Sequence, residues 1–160
     1  MVPSIALIEP QIPPNTGNVG RLCAALGAAL HLIEPLGFQL SDPRLRRAGL
    51  GYWDDLDLWV HPSLEAFRAA ISPDRCLYFS ARGSRNHFDA PYTSTSVLVF
   101  GSEAKGMPRE LLQDNDRVFR VPMVAGVRNI NLATSVGVVA YESIRQLGVD
   151  LESGLRAGKQ

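Results

Sequence analysis

Two apolar runs, Val97-Leu98-Val99-Phe100 and Val118-Phe119-Arg120-Val121, constrain the fold more than any other feature, because each breaks directly into a loop marked by glycine or proline. The first loop reads Gly101-Ser102-Glu103-Ala104-Lys105-Gly106-Met107-Pro108; the second runs from Pro122-Met123 to Arg128-Asn129-Ile130-Asn131. A long apolar helix, roughly Asn131 to Leu147, then closes the segment. Strand ends that open into polar loops are where open α/β sheets bind ligands, since the backbone amides there are unpaired. The site is expected at these two loops.

The upstream chain supplies the rest of such a sheet. Ser4 to Ile8 reads as a strand, and the prolines and glycine of Gln11-Ile12-Pro13-Pro14-Asn15-Thr16-Gly17-Asn18 delay regular structure until a helix begins with Asn15 or Thr16 as its cap. Val19, Leu22, Cys23, Leu26 and Leu30 recur at helical spacing, Gly27 ends the helix, and Ala29 to Ile33 is the next strand. Strand, helix, strand is a crossover unit and implies parallel pairing. Asp42-Pro43 opens a short basic helix, Asp57 to Val60 is a third strand, Ser63 caps another helix, and Cys76 to Phe79 is a continuous apolar strand of the buried parallel kind. Ser80 to Thr95 reads as a long polar loop, and the residues from about Gly148 as a frayed tail. The fold class expected is α/β, a parallel sheet flanked by helices, in one domain spanning 1–160.

The final helix carries Leu132, Ala133, Val136, Val138, Val139, Ala140, Ile144 and Leu147, which leaves little polar surface on any side. A helix of that kind needs covering on more than one face. Its own sheet is one cover, and a second copy of the chain is expected to be the other, making a homodimer through about Asn131–Leu147.

Sixteen basic residues balance sixteen acidic ones, so any nucleic-acid contact must come from local clusters rather than from overall charge. Met1-Val2-Pro3-Ser4 lacks the basic segment and apolar core of a signal peptide, and no stretch is long and apolar enough for a membrane span. A cytoplasmic protein without membrane contact is expected, with Cys23 and Cys76 as buried free thiols. No Gly-x-Gly-x-x-Gly follows the first strand, no Gly-Lys-Ser/Thr follows Gly101 to Gly106, and no His-Cys cluster suits zinc. No metal is expected. The polar residues that remain, Asn15, Asn18, Arg21, Glu103, Arg128, Asn129 and Asn131, suit hydrogen bonding and electrostatic positioning.

Three ordered segments are distinctive: Pro14-Asn15-Thr16-Gly17-Asn18-Val19-Gly20-Arg21, Phe100-Gly101-Ser102-Glu103-Ala104-Lys105-Gly106-Met107-Pro108, and Val121-Pro122-Met123 through Asn131-Leu132-Ala133-Thr134-Ser135. They resemble the three motifs of the SPOUT superfamily of RNA methyltransferases. Arg44-Leu45-Arg46-Arg47-Ala48-Gly49-Leu50 followed by Tyr52, with the Ile33-Glu34-Pro35-Leu36-Gly37-Phe38 turn, resembles its minimal branch, which methylates the 2′-oxygen of the tRNA wobble nucleotide.

The resemblance implies a C-terminal deep trefoil knot, an obligate dimer, and S-adenosyl-L-methionine held in the knot's loops. It places cofactor contacts on Phe79, Gly101, Val121 and Asn129, with Glu103 and Gly106 shaping the middle loop. It assigns the central catalytic role to Arg21, with Asn15 beside it. Guanidinium has a pKa above about 12 and is a poor base. Arg21 is therefore read as a clamp on RNA phosphate or a partner of the 2′-oxygen, with phosphate or water taking the proton. Asn129 departs from the branch's commoner serine.

Arg44, Arg46, Arg47 and Arg128 are the candidate tRNA contacts, joined by Arg82, Arg85 and His87 in a positive groove across the dimer. Tyr52, Trp53 or His87 are candidates for stacking on a splayed nucleotide. Taken singly, Asn15 and Asn18 read equally as turn residues, and the arginine cluster as a solvated helix face. The rival functions are 2′-O-methylation at another RNA site and RNA binding without catalysis.

Overall fold

The computed structural model describes residues 1–49, 51–113 and 116–154. Seven parallel strands form one sheet: β1 (Ser4–Ile8), β2 (Leu30–Ile33), β3 (Leu58–His61), β4 (Cys76–Phe79), β5 (Arg85–Asn86), β6 (Val97–Phe100) and β7 (Val118–Arg120). Their order across the sheet is β3-β2-β1-β6-β4-β7-β5. The helices are α1 (Pro13–Leu26), α2 (Pro43–Gly49), α3 (Leu64–Ala70), α4 (Arg109–Leu112), α5 (Leu132–Leu147) and α6 (Leu151–Gly154). None is long and apolar enough to cross a membrane among the described residues.

Strands β2, β4 and β6 are buried at every position, which is why they read as unbroken apolar runs rather than alternating ones. Successive residues nevertheless enter different cores. Ile5, Leu7, Leu77 and Leu98 pack with Val19, Cys23, Val136 and Val139 of α1 and α5, whereas Ala6, Ile8, Tyr78 and Val99 pack with Phe67 and Leu111 of α3 and α4. Helices thus cover both faces, as a parallel sheet requires.

Helix α1 starts at Pro13, before the expected cap. Pro13 and Pro14 do not delay it, because the first helical positions need no N–H donors and proline's fixed φ suits them. Ile12 stands at the cap position and provides no side-chain acceptor. Farther along, a Cβ on Gly17 would lie 2.4 Å from the Leu45 carbonyl oxygen and 2.6 Å from Ala48 Cβ, so glycine there lets α2 lie directly on α1. Gly20 does the same for the ring of Trp53, which is buried.

The expected loop 80–95 is built into the sheet. Its strand β5 pairs with β7, which therefore lies between β4 and β5. The connection 80–84 crosses the end of β7 closely. The Ser80 N–H donates to the Phe119 carbonyl at 2.9 Å, and a Cβ on Gly83 would come within 2.6 Å of the Phe119 backbone. Arg85 lies over the Phe119 ring, 5.0 Å from its centre. His87 is buried and accepts on its carbonyl a hydrogen bond from the Tyr92 hydroxyl, 2.8 Å away. With Trp53 and His87 both buried, neither can stack on a nucleotide; Tyr52 is exposed.

Strand β3 lies one residue later than expected. Helix α5 begins as expected, Asn131 Oδ1 accepting from Thr134 N–H at 3.2 Å. One face is buried through Val136, Val139, Ala140 and Ile144, and the opposite face leaves Val138 39% and Tyr141 52% exposed. Gly148 caps the helix in the left-handed conformation. The frayed tail expected from there is instead ordered as far as α6, with Val149 and Leu151 packed on the core. The rest of that tail, and Leu50 of the basic run, lie outside the described residues.

Candidate active site

A cavity of about 610 Å³ opens where the carboxyl ends of β4, β6 and β7 meet the loops that follow them. Phe79, Phe100, Val121 and Leu132 give it apolar walls, and the hairpin Ser102–Gly106 forms its lip. In that hairpin Gly106 N–H donates to the Ser102 carbonyl at 2.8 Å and Ser102 N–H to the Gly106 carbonyl at 3.2 Å. The two glycines serve different needs. Gly106 has φ of +72°, which favours glycine, while a Cβ on Gly101 would fall 2.3 Å from the backbone of Gly106 and Met107.

One hydrogen-bonded chain ties the three loops together. The Glu103 carboxylate accepts from Gln11 N–H at 2.8 Å, from Ile12 N–H at 3.3 Å and from Asn15 Nδ2 at 3.1 Å. It thus takes the place of the missing side-chain cap at the start of α1, where its negative charge also suits the helix dipole. Asn15 Oδ1 in turn accepts from Asn131 Nδ2 at 2.9 Å, and Asn131 caps α5. The amino ends of α1 and α5 and the hairpin are thereby held in fixed relation around the cavity.

Of the sequence-predicted residues, Phe79, Gly101, Glu103, Gly106, Val121, Asn129, Asn15 and Arg128 line this cavity. Phe79 is stacked on Phe100 at 5.2 Å and on Tyr92 at 6.3 Å. Arg21 does not line it. Six residues beyond Asn15, it is turned by about 240° around α1 and is exposed. Arg44, Arg46 and Arg47 lie on α2, also outside the cavity; Arg44 pairs with Asp42 at 2.9 Å and Arg46 with Asp54 at 3.4 Å. Among the polar lining residues, sequence reasoning passed over Lys105, while Asn131 stood only among the candidate hydrogen-bonding groups and Arg82 only in the expected RNA groove. Asn131 carried a signal, as the polar residue just before the apolar helix.

The chemistry available is that of binding and orientation. Glu103, the acid in the lining, is committed to three donors. Burial pushes the Cys23 thiol up to about 12 and raises that of Cys76, so neither offers a thiolate nucleophile. Among the described residues no group of three metal-ligating side chains occurs. What remains is an apolar slot with close backbone and a rim bearing Arg82, Lys105 and Arg128, suited to an amphipathic ligand of nucleoside type beside an anionic one.

The sequence pattern of the SpoU rRNA Methylase family matches residues 3–141. A tRNA (cytidine(34)-2′-O)-methyltransferase of Burkholderia cenocepacia is 48% identical over 151 residues, covering 92% of this chain and 97% of that protein. A solved structure concerned with the 2-OH methylation of C/U34 on tRNA is 46% identical, superposes with a TM-score of 0.84, and covers 91% of this chain and 95% of its own. The SpoU methyltransferase AviRb of Streptomyces viridochromogenes, solved with AdoMet, is 26% identical with a TM-score of 0.75, over 91% of this chain and 60% of its own.

Proposed function

Because this chain belongs to the SpoU rRNA Methylase family, we propose that it is a tRNA methyltransferase that uses S-adenosyl-L-methionine to methylate the ribose 2′-hydroxyl of nucleotide 34, the wobble position. The observation that carries the reading is likeness over nearly the whole length: a 48% identical relative of that activity, of which 97% is covered.

The cavity fits the methyl donor. Its aromatic and aliphatic walls suit an adenine, and the tightly approached backbone at Gly101 suits hydrogen bonding to the ring edge. Phe79, Gly101, Val121 and Asn129 would hold it, with Glu103 and Gly106 fixing the hairpin. Bound there, S-adenosyl-L-methionine supplies a methyl group already activated on a sulfonium. The work left to the chain is to place the 2′-oxygen in line and to help move its proton.

Asn15 acts as a positioning residue, since both ends of its amide are used in the chain from Glu103 to Asn131. Arg21 holds the RNA phosphate or the 2′-oxygen, and phosphate or water accepts the proton. As Arg21 lies outside its own cavity on a helix packed against α5, the reading includes a homodimer through the exposed face of α5, which brings Arg21 to the neighbouring copy's cavity. Arg44, Arg46, Arg47 and Arg128 meet tRNA phosphates. The enzyme works in the cytoplasm, which cell fractionation checks, and its single domain carries the threaded trefoil of the SPOUT fold.

The test incubates the protein with labelled S-adenosyl-L-methionine and tRNA lacking this modification, then maps the product by nucleoside mass spectrometry. A 2′-O-methyl group at nucleotide 34 is the expected result. Transfer to another nucleotide, or none with the methyl donor bound, overturns it.

A further inference from the structure

A second cavity, of about 440 Å³, shares the Ser102–Gly106 hairpin with the first. It lacks the aromatic walls of the first: Arg82 and Lys105, which also stand on the rim of the first, are joined here by a third cation, Arg109, and by one carboxylate, Glu9. In a chain whose charges balance overall, this is a local excess of positive charge. The side chains of Arg82 and Arg109 have no hydrogen-bond or ion-pair partner among the described residues. Lys105 Nζ lies 2.7 Å from Glu9 Oε2.

Glu9 itself is unusual. It follows β1 with φ of +46°, and it is the sole non-glycine with positive φ among the described residues. Its backbone is held by the N–H donating to the Ile33 carbonyl at 2.9 Å and by the carbonyl accepting from Gln11 Nε2 at 2.7 Å. A side chain kept in this region is strained, and such strain gathers at ligand clamps and switches. Here the strained residue puts a carboxylate among three cations, where an anion from outside would also sit.

We propose that Arg82, Lys105 and Arg109 seat the phosphodiester on the 3′ side of the methylated ribose, and that Glu9 occupies this seat until RNA displaces it. The inference rests on the activity proposed above. In RNA the 3′ phosphate is only a few bonds from the 2′-oxygen of the same ribose, so with the methyl donor in the first cavity that phosphate falls at the adjoining one. Displacement frees Lys105 to pair with phosphate and leaves Glu9 to solvent.

The test measures binding of an anticodon stem-loop by fluorescence anisotropy over a range of KCl concentrations. One form carries the native phosphate 3′ to nucleotide 34, and one a neutral methylphosphonate at that linkage. Arg109→Ala is expected to weaken native binding about tenfold and to lower the slope of log affinity against log salt by about 0.7, one single-strand phosphate contact. The methylphosphonate should weaken the wild type alike and Arg109→Ala no further, while Glu9→Gln should tighten native RNA. Calorimetry with S-adenosyl-L-methionine should give Arg109→Ala the wild-type affinity.

Additive losses or an unchanged slope overturn the proposal. So does loss of methyl-donor affinity with RNA binding intact, which would give the cations to that ligand's carboxylate. Because binding is read without turnover, coupled losses in a protein that transfers no methyl group sink the proposed activity and leave the seat standing. Transfer without coupling sinks the seat alone, and a stem-loop that does not bind overturns both.

Discussion

At the scale of single residues, Glu103 has the most to lose. Its carboxylate faces three N–H donors from Gln11, Ile12 and Asn15, so an amide in its place would point an NH₂ group at one of them. Glu103→Gln is expected to lower stability by about 1–2 kcal/mol, since hydrogen bonds to a charged group are the stronger kind. Thermal unfolding checks this, with calorimetry expected to show weaker binding of the methyl donor; an unchanged melting temperature would refute it. The glycines of the hairpin were legible in the sequence as glycines at a strand end. The partnership of Asn15 with Glu103 and Asn131 was not, because it joins residues 88 and 116 positions apart and exists only once the sheet is formed. For Trp53 and His87, an aromatic ring suits a core as well as a base, and only the position of Gly20 or Tyr92 reveals which.

At the scale of elements, strands β2, β4 and β6 were legible to within a residue, because burial on both faces demands an unbroken apolar run. Strand β5 was not. Arg85-Asn86 has no apolar pattern and is a strand only because β7 lies beside it. The β2–β3 edge carries its own consequence. His31 Nδ1 and His61 Nε2 lie 3.1 Å apart, both rings buried. Burial, then the neighbouring His61, pushes His31 down to about 4, with Asp57 opposing and Arg75 assisting; burial also lowers His61. An unfolded histidine titrates near 6.5. Between about 6.5 and 4 the unfolded chain therefore binds more protons, so stability rises with pH across that window and is lost as pH falls through it. Melting temperature should drop between pH 6.5 and 5, above the range where carboxylates titrate, and His31→Gln should flatten the drop. A wild type with equal melting temperatures at both pH values would contradict this.

At the scale of the whole molecule, the exposed Val138 and Tyr141 on α5 and the placement of Arg21 outside its own cavity bear on one expectation. Light scattering should give twice the 17.4 kDa chain mass. Mixing inactive Arg21→Ala with inactive Gly101→Val, whose side chain has no room, should restore up to about half of the activity per mixed dimer. A monomeric mass, or no restoration in mixed dimers, would sink this arrangement. The connection 80–84 has a further meaning for how such a molecule comes into being. It lies across β7 like a strap, with no room for a side chain between Gly83 and the strand. Phe79 and Arg82 stand on one side of that strap, and Val121, Asn129 and Asn131 follow the strand that passes beneath it. The pocket is thus the property of a finished chain. During synthesis, no length that stops short of residue 131 has both walls, and capture of the methyl donor marks the moment when the second of them has been made.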